Sequence, residues 1–366
     1  MSTGNSLWRQ IDYPFLILLA LLSGLGIAAL WSASQGAGGG QAFYALRQLR
    51  WLMLGAGAML LCSLFDYRHL YTYAYPIYGV LIILLLVVLF GGKTSMGAQR
   101  WISLGPIRMQ PSEFVKIGIA ITASRLFVQE GARPPYGLRE LAFPIIVTLV
   151  PMGLVLMQPD LGTAILVGAV AFTIALFRGI KRKLLIWSGI LMACAAPIFW
   201  SLLKEYQKAR ILTFLNPERD PSGAGYHIIQ SKIAIGSGQF LGKGYLKGTQ
   251  SHLRFLPERH TDFIFSVLAE EWGFLGSIGV LALFFVLILW GLDIAAKARD
   301  PFGRLLAVGV TSILFFHVMV NIAMVMGLLP VVGVPLPLFS YGGSSVLTTY
   351  LIAGILMSIR IRRFSR

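Results

Sequence analysis

Of 366 residues, 56% are apolar and only 13% are charged, and mean hydropathy is +0.74. Soluble domains carry roughly 25% charged residues, so composition excludes a soluble globular protein and indicates a polytopic membrane protein. The formal net charge of +16 belongs to loops that orient such a protein and does not signal a nucleic-acid partner. Cys62 and Cys194 both lie in apolar runs, where cysteine acts as a small apolar side chain, so neither a disulfide framework nor a cysteine metal site is expected.

The polar stretch from Met1 to Asp12 leads into an apolar run with no A-x-A-like cleavage site behind it, so that run reads as a retained helix. Ten such runs follow one another, at roughly 14–34, 48–65, 70–91, 112–129, 142–157, 161–177, 184–203, 263–291, 303–327 and 339–360. At about 20 residues per crossing of a hydrocarbon core of about 30 Å, they predict an all-α integral membrane protein of ten transmembrane helices, a single polytopic domain. The fifth and sixth runs are short and separated only by Gln158-Pro159-Asp160, which leaves a re-entrant pair open. Lys and Arg crowd alternate connections, as at Arg178, Lys181, Arg182 and Lys183, whereas the short loops on the other side hold only Arg47, Arg50, Lys93, Arg100 and Arg108. By the positive-inside rule both termini are cytoplasmic. The one long loop, about 204–262 between helices 7 and 8, is then extracytoplasmic, and loops of that length are usually functional. Its start, Lys204 to Arg210, reads as a charged continuation of the seventh helix, and Tyr226 to Ile235 as a short amphipathic helix in the membrane interface.

Charged groups beside membrane helices are costly and mark candidate functional positions. Asp262 stands where the polar segment from Leu256 to Thr261 turns into the eighth apolar run, a suitable place for an acid or base acting on a substrate with its tail in lipid. Asp160 begins the sixth run directly after Gln158-Pro159, Glu113 and Lys116 follow Gln110-Pro111-Ser112 at the start of the fourth, and Arg100-Trp101 lies just before it. Each has a plainer explanation. Asp160 and Asp262 suit helix N-caps, and Glu113 and Lys116, three residues apart, can neutralise each other. Together, cations, acids and an aromatic at one membrane boundary suit a phosphate-bearing lipid headgroup, with Asp262 placed to take a proton from a hydroxyl. Glu270 and Glu271 fall roughly 12 Å further along the eighth helix. His317 and Asn321, four apart on the ninth, suit interhelical hydrogen bonding better than a proton relay. Ser340, in the Gly- and Pro-rich loop before the tenth run, is a candidate to face the cavity.

Gly97-Ala98-Gln99-Arg100-Trp101-Ile102, Gln110-Pro111-Ser112-Glu113, Gln158-Pro159-Asp160-Leu161-Gly162-Thr163, Gly223-Ala224-Gly225-Tyr226, Leu256 to Phe265 and Phe339 to Ser345 resemble the SEDS family (shape, elongation, division and sporulation). Arg259 within Pro-Glu-Arg-His-Thr-Asp-Phe, with Lys247 to His252, resembles its RodA-type rod-shape branch rather than its FtsW division branch. Gln239, where glycine is expected, and Trp272, where leucine is common, depart from the pattern.

The resemblance implies a ten-helix peptidoglycan glycosyltransferase that joins lipid II units outside the cytoplasmic membrane and releases undecaprenyl pyrophosphate. It implies Asp262 as the essential acid, with Glu113, Lys116, Asp160, Arg100 and Trp101 lining a substrate cavity beside Gln110 and Ser340. It also implies a divalent cation, Mg or Mn, held by Asp262, and a class B penicillin-binding protein among other elongation-complex membrane partners. On this reading Asp262 deprotonates or orients the acceptor hydroxyl in an inverting displacement, and Arg100, Lys116 and Arg210 offset charge on the departing pyrophosphate. A lipid II flippase is the alternative, and it requires polar groups spread across the whole membrane thickness. A non-catalytic scaffold that recruits the crosslinking enzyme is a third reading.

Overall fold

Each of the ten apolar runs is helical in the computed structural model, which describes residues 12–35, 42–95, 98–104, 107–129, 134–203, 205–220, 223–252 and 258–364. The helices are α1 (Tyr13–Ser34), α2 (Ala42–Leu64), the short α3 (Arg68–Thr72), α4 (Ala74–Gly91), α5 (Pro111–Gln129), α6 (Leu138–Met157), α7 (Leu161–Arg178) and α8 (Arg182–Leu202). Within the long loop lie α9 (Glu205–Leu215), α10 (Ala224–Ser237) and the short α11 (Thr249–His252), followed by α12 (Ile264–Ala296), α13 (Pro301–Val325) and α14 (Gly343–Ile361). Seven of these, α1, α4, α6, α7, α12, α13 and α14, are long and apolar enough to cross a membrane, which makes the chain a multi-pass membrane protein. Helices α2, α5 and α8 fill the other runs; α5 carries Glu113, Lys116 and Arg125 within its length. Helices α6 and α7 have 20 and 18 residues, too long for the re-entrant pair that the short runs left open.

Helices α13 and α14 form the centre. In their most apolar stretches 78% and 83% of residues are buried, against 17% in α4. α13 packs on α12, α7 and α5, and α14 lies along α2. Among the described side chains of α8 none is buried, so that helix stands apart from the bundle.

Three features correct the sequence reading. The chain is not purely helical: Lys93–Ser95, Ala98–Leu104 and Ile107–Met109 form an antiparallel sheet of three strands, β1, β2 and β3, in that order. β1 and β3, of three residues each, are too short for alternation to show in a sequence. In the long loop, α10 is packed against the bundle, which the amphipathic pattern alone did not show. Its Ser231 is fully buried and bonds the Val325 carbonyl at 2.6 Å and the Ser266 hydroxyl at 2.8 Å, which seats the helix on α12 and α13.

The eighth run, finally, is a helix broken at Gly273 (φ 64°, ψ −161°), a conformation essentially restricted to glycine. The break frees backbone groups that must find partners at membrane depth, and the long loop supplies them. The Lys243 and Gly244 amides donate to the Glu270 and Glu271 carbonyls, both at 3.0 Å, while Phe274 and Leu275 donate to the Gln239 and Phe240 carbonyls at 2.9 and 3.2 Å. Glu270 and Glu271 are therefore not isolated deep charges. The Glu270 carboxylate, fully buried, accepts from Lys243 Nζ at 2.7 Å, from the Thr249 amide at 2.8 Å and from the Gln250 amide at 3.0 Å. Glu271 accepts from the Ser32 hydroxyl. Gln239, where the resemblance favours glycine, indeed has left-handed backbone, φ 48°.

Candidate functional site

The segment 258–263 forms a turn that feeds α12. Glu258 adopts φ 50°, its carbonyl accepts from the Thr261 and Phe263 amides, and its carboxylate takes the Thr261 hydroxyl at 3.0 Å. The N-cap position of α12 is Phe263, so the capping explanation fails for Asp262. Its carboxylate is partly exposed and lies against Gly333, where an added Cβ would stand 3.4 Å from Oδ2. Burial, reinforced by the neighbouring charge of Glu258, pushes the Asp262 carboxyl up to about 6, while Arg210 and Arg100 pull the other way. Burial also holds the nearby His260 imidazole below its ordinary range, against the pull of Glu258.

The turn is held through three successive carbonyls. His260 O accepts from the Tyr341 amide at 2.8 Å, Thr261 O from Ser340 Oγ at 2.6 Å, and Asp262 O from Asn321 Nδ2 at 2.9 Å. Ser340 therefore does not face the cavity: it is 1% exposed, and its hydroxyl also accepts from the Leu336 amide at 2.8 Å. Behind it, the fully buried Gln48 of α2 donates to Ser340 O at 3.0 Å and accepts from the Gly342 amide at 3.3 Å. Tyr44, one turn before Gln48, stacks on His260 with ring centres 4.5 Å apart and meets Tyr341 edge-on at 4.9 Å. Neither Tyr44 nor Gln48 was singled out from the sequence. The available signal was a glutamine set between Arg47 and Arg50 at the start of the second run.

Arg100, on β2, reaches the turn between α6 and α7. Its guanidinium donates to the Pro159 and Gln158 carbonyls, and Nε lies 3.7 Å from Asp160 Oδ2. Asp160 is the N-cap of α7, accepting from the Thr163 amide at 3.3 Å and its hydroxyl at 3.0 Å, and from Gln110 Nε2 at 3.3 Å. Being 3% exposed and surrounded by donors, Asp160 fixes Arg100 and Gln110 and presents little of itself to a ligand. Trp101 is half-buried, and strand alternation sends it to the face opposite Arg100. Arg210, on α9 and partly exposed, shares with Arg100 the electrostatic neighbourhood of Asp262.

Glu113 and Lys116 are sealed inside the bundle, 4% and 0% exposed, and pair at 2.7 Å. Lys116 Nζ also meets His317 Nε2, and His317 Nδ1 lies 3.2 Å from the Pro335 carbonyl. A lysine ammonium only donates, so Nε2 accepts and the ring proton sits on Nδ1, directed at Pro335 O. His317 thus makes the interhelical bond that its spacing suggested, whereas Asn321 bonds a turn and a loop, at Asp262 O and Val334 O. Neither Glu113 nor Lys116 lines an open cavity. Burial of an ion pair requires close partners on both sides, and α5, α13 and the loop before α14 provide that enclosure.

Among the described residues no group of three or more His, Cys, Asp or Glu is arranged to hold a metal ion. A cation of the magnesium class binds through one or two carboxylates and completes its shell with water and phosphate oxygens. The Asp262 carboxylate, with Glu258 as its acidic neighbour, fits that mode and no closed cage.

A family model for cell cycle proteins of the FtsW, RodA and SpoVE type matches residues 13–364. The chain belongs to the FtsW/RodA/SpoVE family. Within the family, the peptidoglycan glycosyltransferase MrdB of Escherichia coli K12 is 45% identical over 98% of this chain and 96% of its own. The peptidoglycan glycosyltransferase RodA of Treponema pallidum is 34% identical over 97% of this chain and 98% of its own. A solved structure on the coordination of polymerization and crosslinking by a peptidoglycan synthase complex superposes with TM-score 0.85 at 33% identity, covering 97% of this chain and 99% of that one. The Thermus thermophilus rod shape determining protein RodA superposes with TM-score 0.73 at 32% identity over 97% of this chain and 98% of that one. The turn that carries Asp262 lies inside the span of this family match.

Proposed function

We propose that this chain is a RodA-type peptidoglycan glycosyltransferase that polymerises lipid II into glycan strands at the outer face of the cytoplasmic membrane, during elongation and rod-shape maintenance. The observation that carries the reading is Asp262: a partly exposed residue held through its own backbone carbonyl by Asn321, its carboxyl pushed up to about 6 within the electrostatic reach of Arg210 and Arg100. A base with an elevated pKa is matched to deprotonating a hydroxyl near neutral pH. The names of relatives such as MrdB and RodA support the substrate class.

The step is a displacement at the anomeric carbon of the lipid-linked donor. The acceptor hydroxyl oxygen forms the new glycosidic bond, its proton passes to Asp262, and the bond to pyrophosphate breaks with inversion. Arg100 and Arg210 offset the charge that develops on the departing pyrophosphate. Lys116, sealed and paired, acts on this chemistry only through His317 and the loop at Pro335. The leaving group departs as a stable anion, so the second carboxylic acid that glycosidases use to protonate it is not required. Were a divalent cation bound, Asp262 would be the residue to hold it, and the ion would add neutralising charge beside the diphosphate.

This reading requires ten spans, both termini in the cytoplasm, and the loop of α9 to α11 outside. Its partner is a class B penicillin-binding protein that crosslinks the product, with other elongation-complex membrane proteins, in keeping with the coupled synthase complex that this fold matches. The flippase alternative is disfavoured because the deeper polar groups, Glu270, Glu271, His317 and Asn321, are all below 5% exposed and offer a headgroup no wet path.

The test is polymerisation of fluorescent lipid II by the purified protein with its partner, comparing wild type with Asp262→Asn. Strands from the wild type and none from the variant, at equal complex yield, support the assignment. Equal synthesis by both refutes it.

A further inference from the structure

The carboxamide of Asn321 joins two parts of the site that are distant in sequence. Asn321 is fully buried in α13, and Nδ2 donates both its protons, one to Asp262 O at 2.9 Å and one to Val334 O at 2.8 Å. Val334 follows Gly333, the residue whose Cα faces the Asp262 carboxylate. One side chain therefore fixes both the backbone beneath the carboxylate and the wall beside it. The other two carbonyls of the turn are held separately by Tyr341 and Ser340, and neither of those donors also reaches residue 334.

The orientation of this amide is decided by its partners. Turning the carboxamide over would set Oδ1 against two carbonyl oxygens, so the nitrogen must face them. Oδ1 itself is buried with no hydrogen-bond partner among the described residues. A buried unsatisfied acceptor costs about 1–3 kcal/mol, and a leucine of similar volume would remove that cost in an otherwise apolar helix. Retaining asparagine here makes sense when the two donated bonds matter more than the unpaired oxygen. One turn earlier, His317 holds Pro335 O, so the same face of α13 secures the loop at two neighbouring residues.

We infer that Asn321 is a positioning residue for Asp262, setting the carboxylate's place relative to the acceptor hydroxyl without touching substrate. The inference rests on the reading of Asp262 as the base. Misplacing a catalytic group by about 1 Å can cost on the order of a hundredfold in rate, whereas substrate binding, governed by Arg100 and Arg210, is left in place.

The experiment is steady-state polymerisation of fluorescent lipid II by the purified complex across pH, for wild type, Asn321→Leu, Asn321→Gln and Asp262→Asn. The expected result for Asn321→Leu is a kcat lower by about a hundredfold, a KM within about twofold and a displaced acid limb of the pH–rate profile. Its Tm should fall, because the Asp262 and Val334 carbonyls lose their donor, so kcat is taken per folded complex. Asn321→Gln, which keeps the donors on a longer arm, recovers part of kcat. If the leucine variant does not accumulate, the glutamine variant carries the same readout, with kcat reduced and the acid limb displaced. An active Asp262→Asn overturns the base assignment itself. An inactive Asp262→Asn beside Asn321 variants with wild-type kcat and an unmoved acid limb overturns the positioning role alone, as does a kcat loss that only tracks lost fold.

Discussion

Gly273 and Gly242 meet backbone to backbone: a Cβ on Gly273 would stand 2.2 Å from the Gly242 nitrogen, and one on Gly242 would stand 2.1 Å from the Glu271 carbonyl. This contact lets the loop 239–244 fill the break in α12 and supply partners for its freed backbone groups. It also separates the short first piece of the helix, which follows Asp262, from the longer apolar remainder. Gly273→Ala must adopt a conformation that side chains avoid, at about 1–3 kcal/mol, and must also push the loop away. Thermal unfolding in detergent should show a loss of at least about 3 kcal/mol, because several of the four bridging hydrogen bonds are lost with it.

The elevated Asp262 carboxyl gives pH a definite sign. Polymerisation should fall as pH drops through about 6, where the base takes up its proton. For stability the sign is opposite to that of a salt-bridged aspartate. The folded pKa of about 6 lies above the ordinary 3.8, so the charged form is disfavoured by folding. That penalty is absent below the unfolded value and fully present above the folded one. Asp262→Asn should therefore match or exceed wild type in Tm at neutral pH, and the difference should vanish as pH approaches 4. Tm measured at intervals between those limits checks it, and a variant less stable than wild type at neutral pH contradicts it.

What could be read from the sequence follows from where polar groups fall along it. Asp262, Arg100, Asp160 and Glu113 stand at the edges of apolar runs, so their chemistry showed against a uniform background. Of the groups that hold the Asp262 turn, Gln48 stands at the start of a run, between Arg47 and Arg50, and Asn321 lies inside one. Gln48 and Asn321 are fully buried, and a single amide in an apolar helix does not reveal whether it meets a neighbouring helix or a catalytic turn. The break at Gly273 was hidden because apolar residues continue on both sides of it and glycine is common in membrane helices. Ser340 was misread for the reverse reason: a serine among Gly and Pro looks accessible, yet tertiary contacts bury it against Thr261.

The buried pair of α5 and its histidine partner on α13 predict a non-additive pair of substitutions. Lys116→Met leaves Glu113 charged with its Oε2 already lacking a partner among the described residues, and the neutral His317 imidazole supplies no compensating charge. Removing one member of a buried pair costs roughly 3–5 kcal/mol, whereas replacing both with neutral groups of similar size is often nearly neutral. Lys116→Met alone should reduce yield and Tm sharply, and Glu113→Gln added to it should restore most of both. A double variant as unstable as the single would mean that the charges are not what the site requires.

Two glycines with nearly the same backbone separate strain from chemistry. Gly333 has φ 70° and Gly327 has φ 68°, so alanine at either must occupy the left-handed region at about 1–2 kcal/mol. Their surroundings differ. At Gly333 the new methyl lies 3.4 Å from Asp262 Oδ2, an ordinary contact, whereas at Gly327 it meets the flexible end of Lys232, 2.3 Å from Cε. Both variants should lose a similar amount of stability, since the lysine of α10 is exposed and can swing away. Only Gly333→Ala removes water from the carboxylate, which favours the protonated form and moves the acid limb of the polymerisation profile to higher pH. Kinetics at pH 6 and pH 8 on the two variants, with Tm measured alongside, make the comparison. A limb displaced equally in both would assign the effect to backbone strain and not to the environment of Asp262.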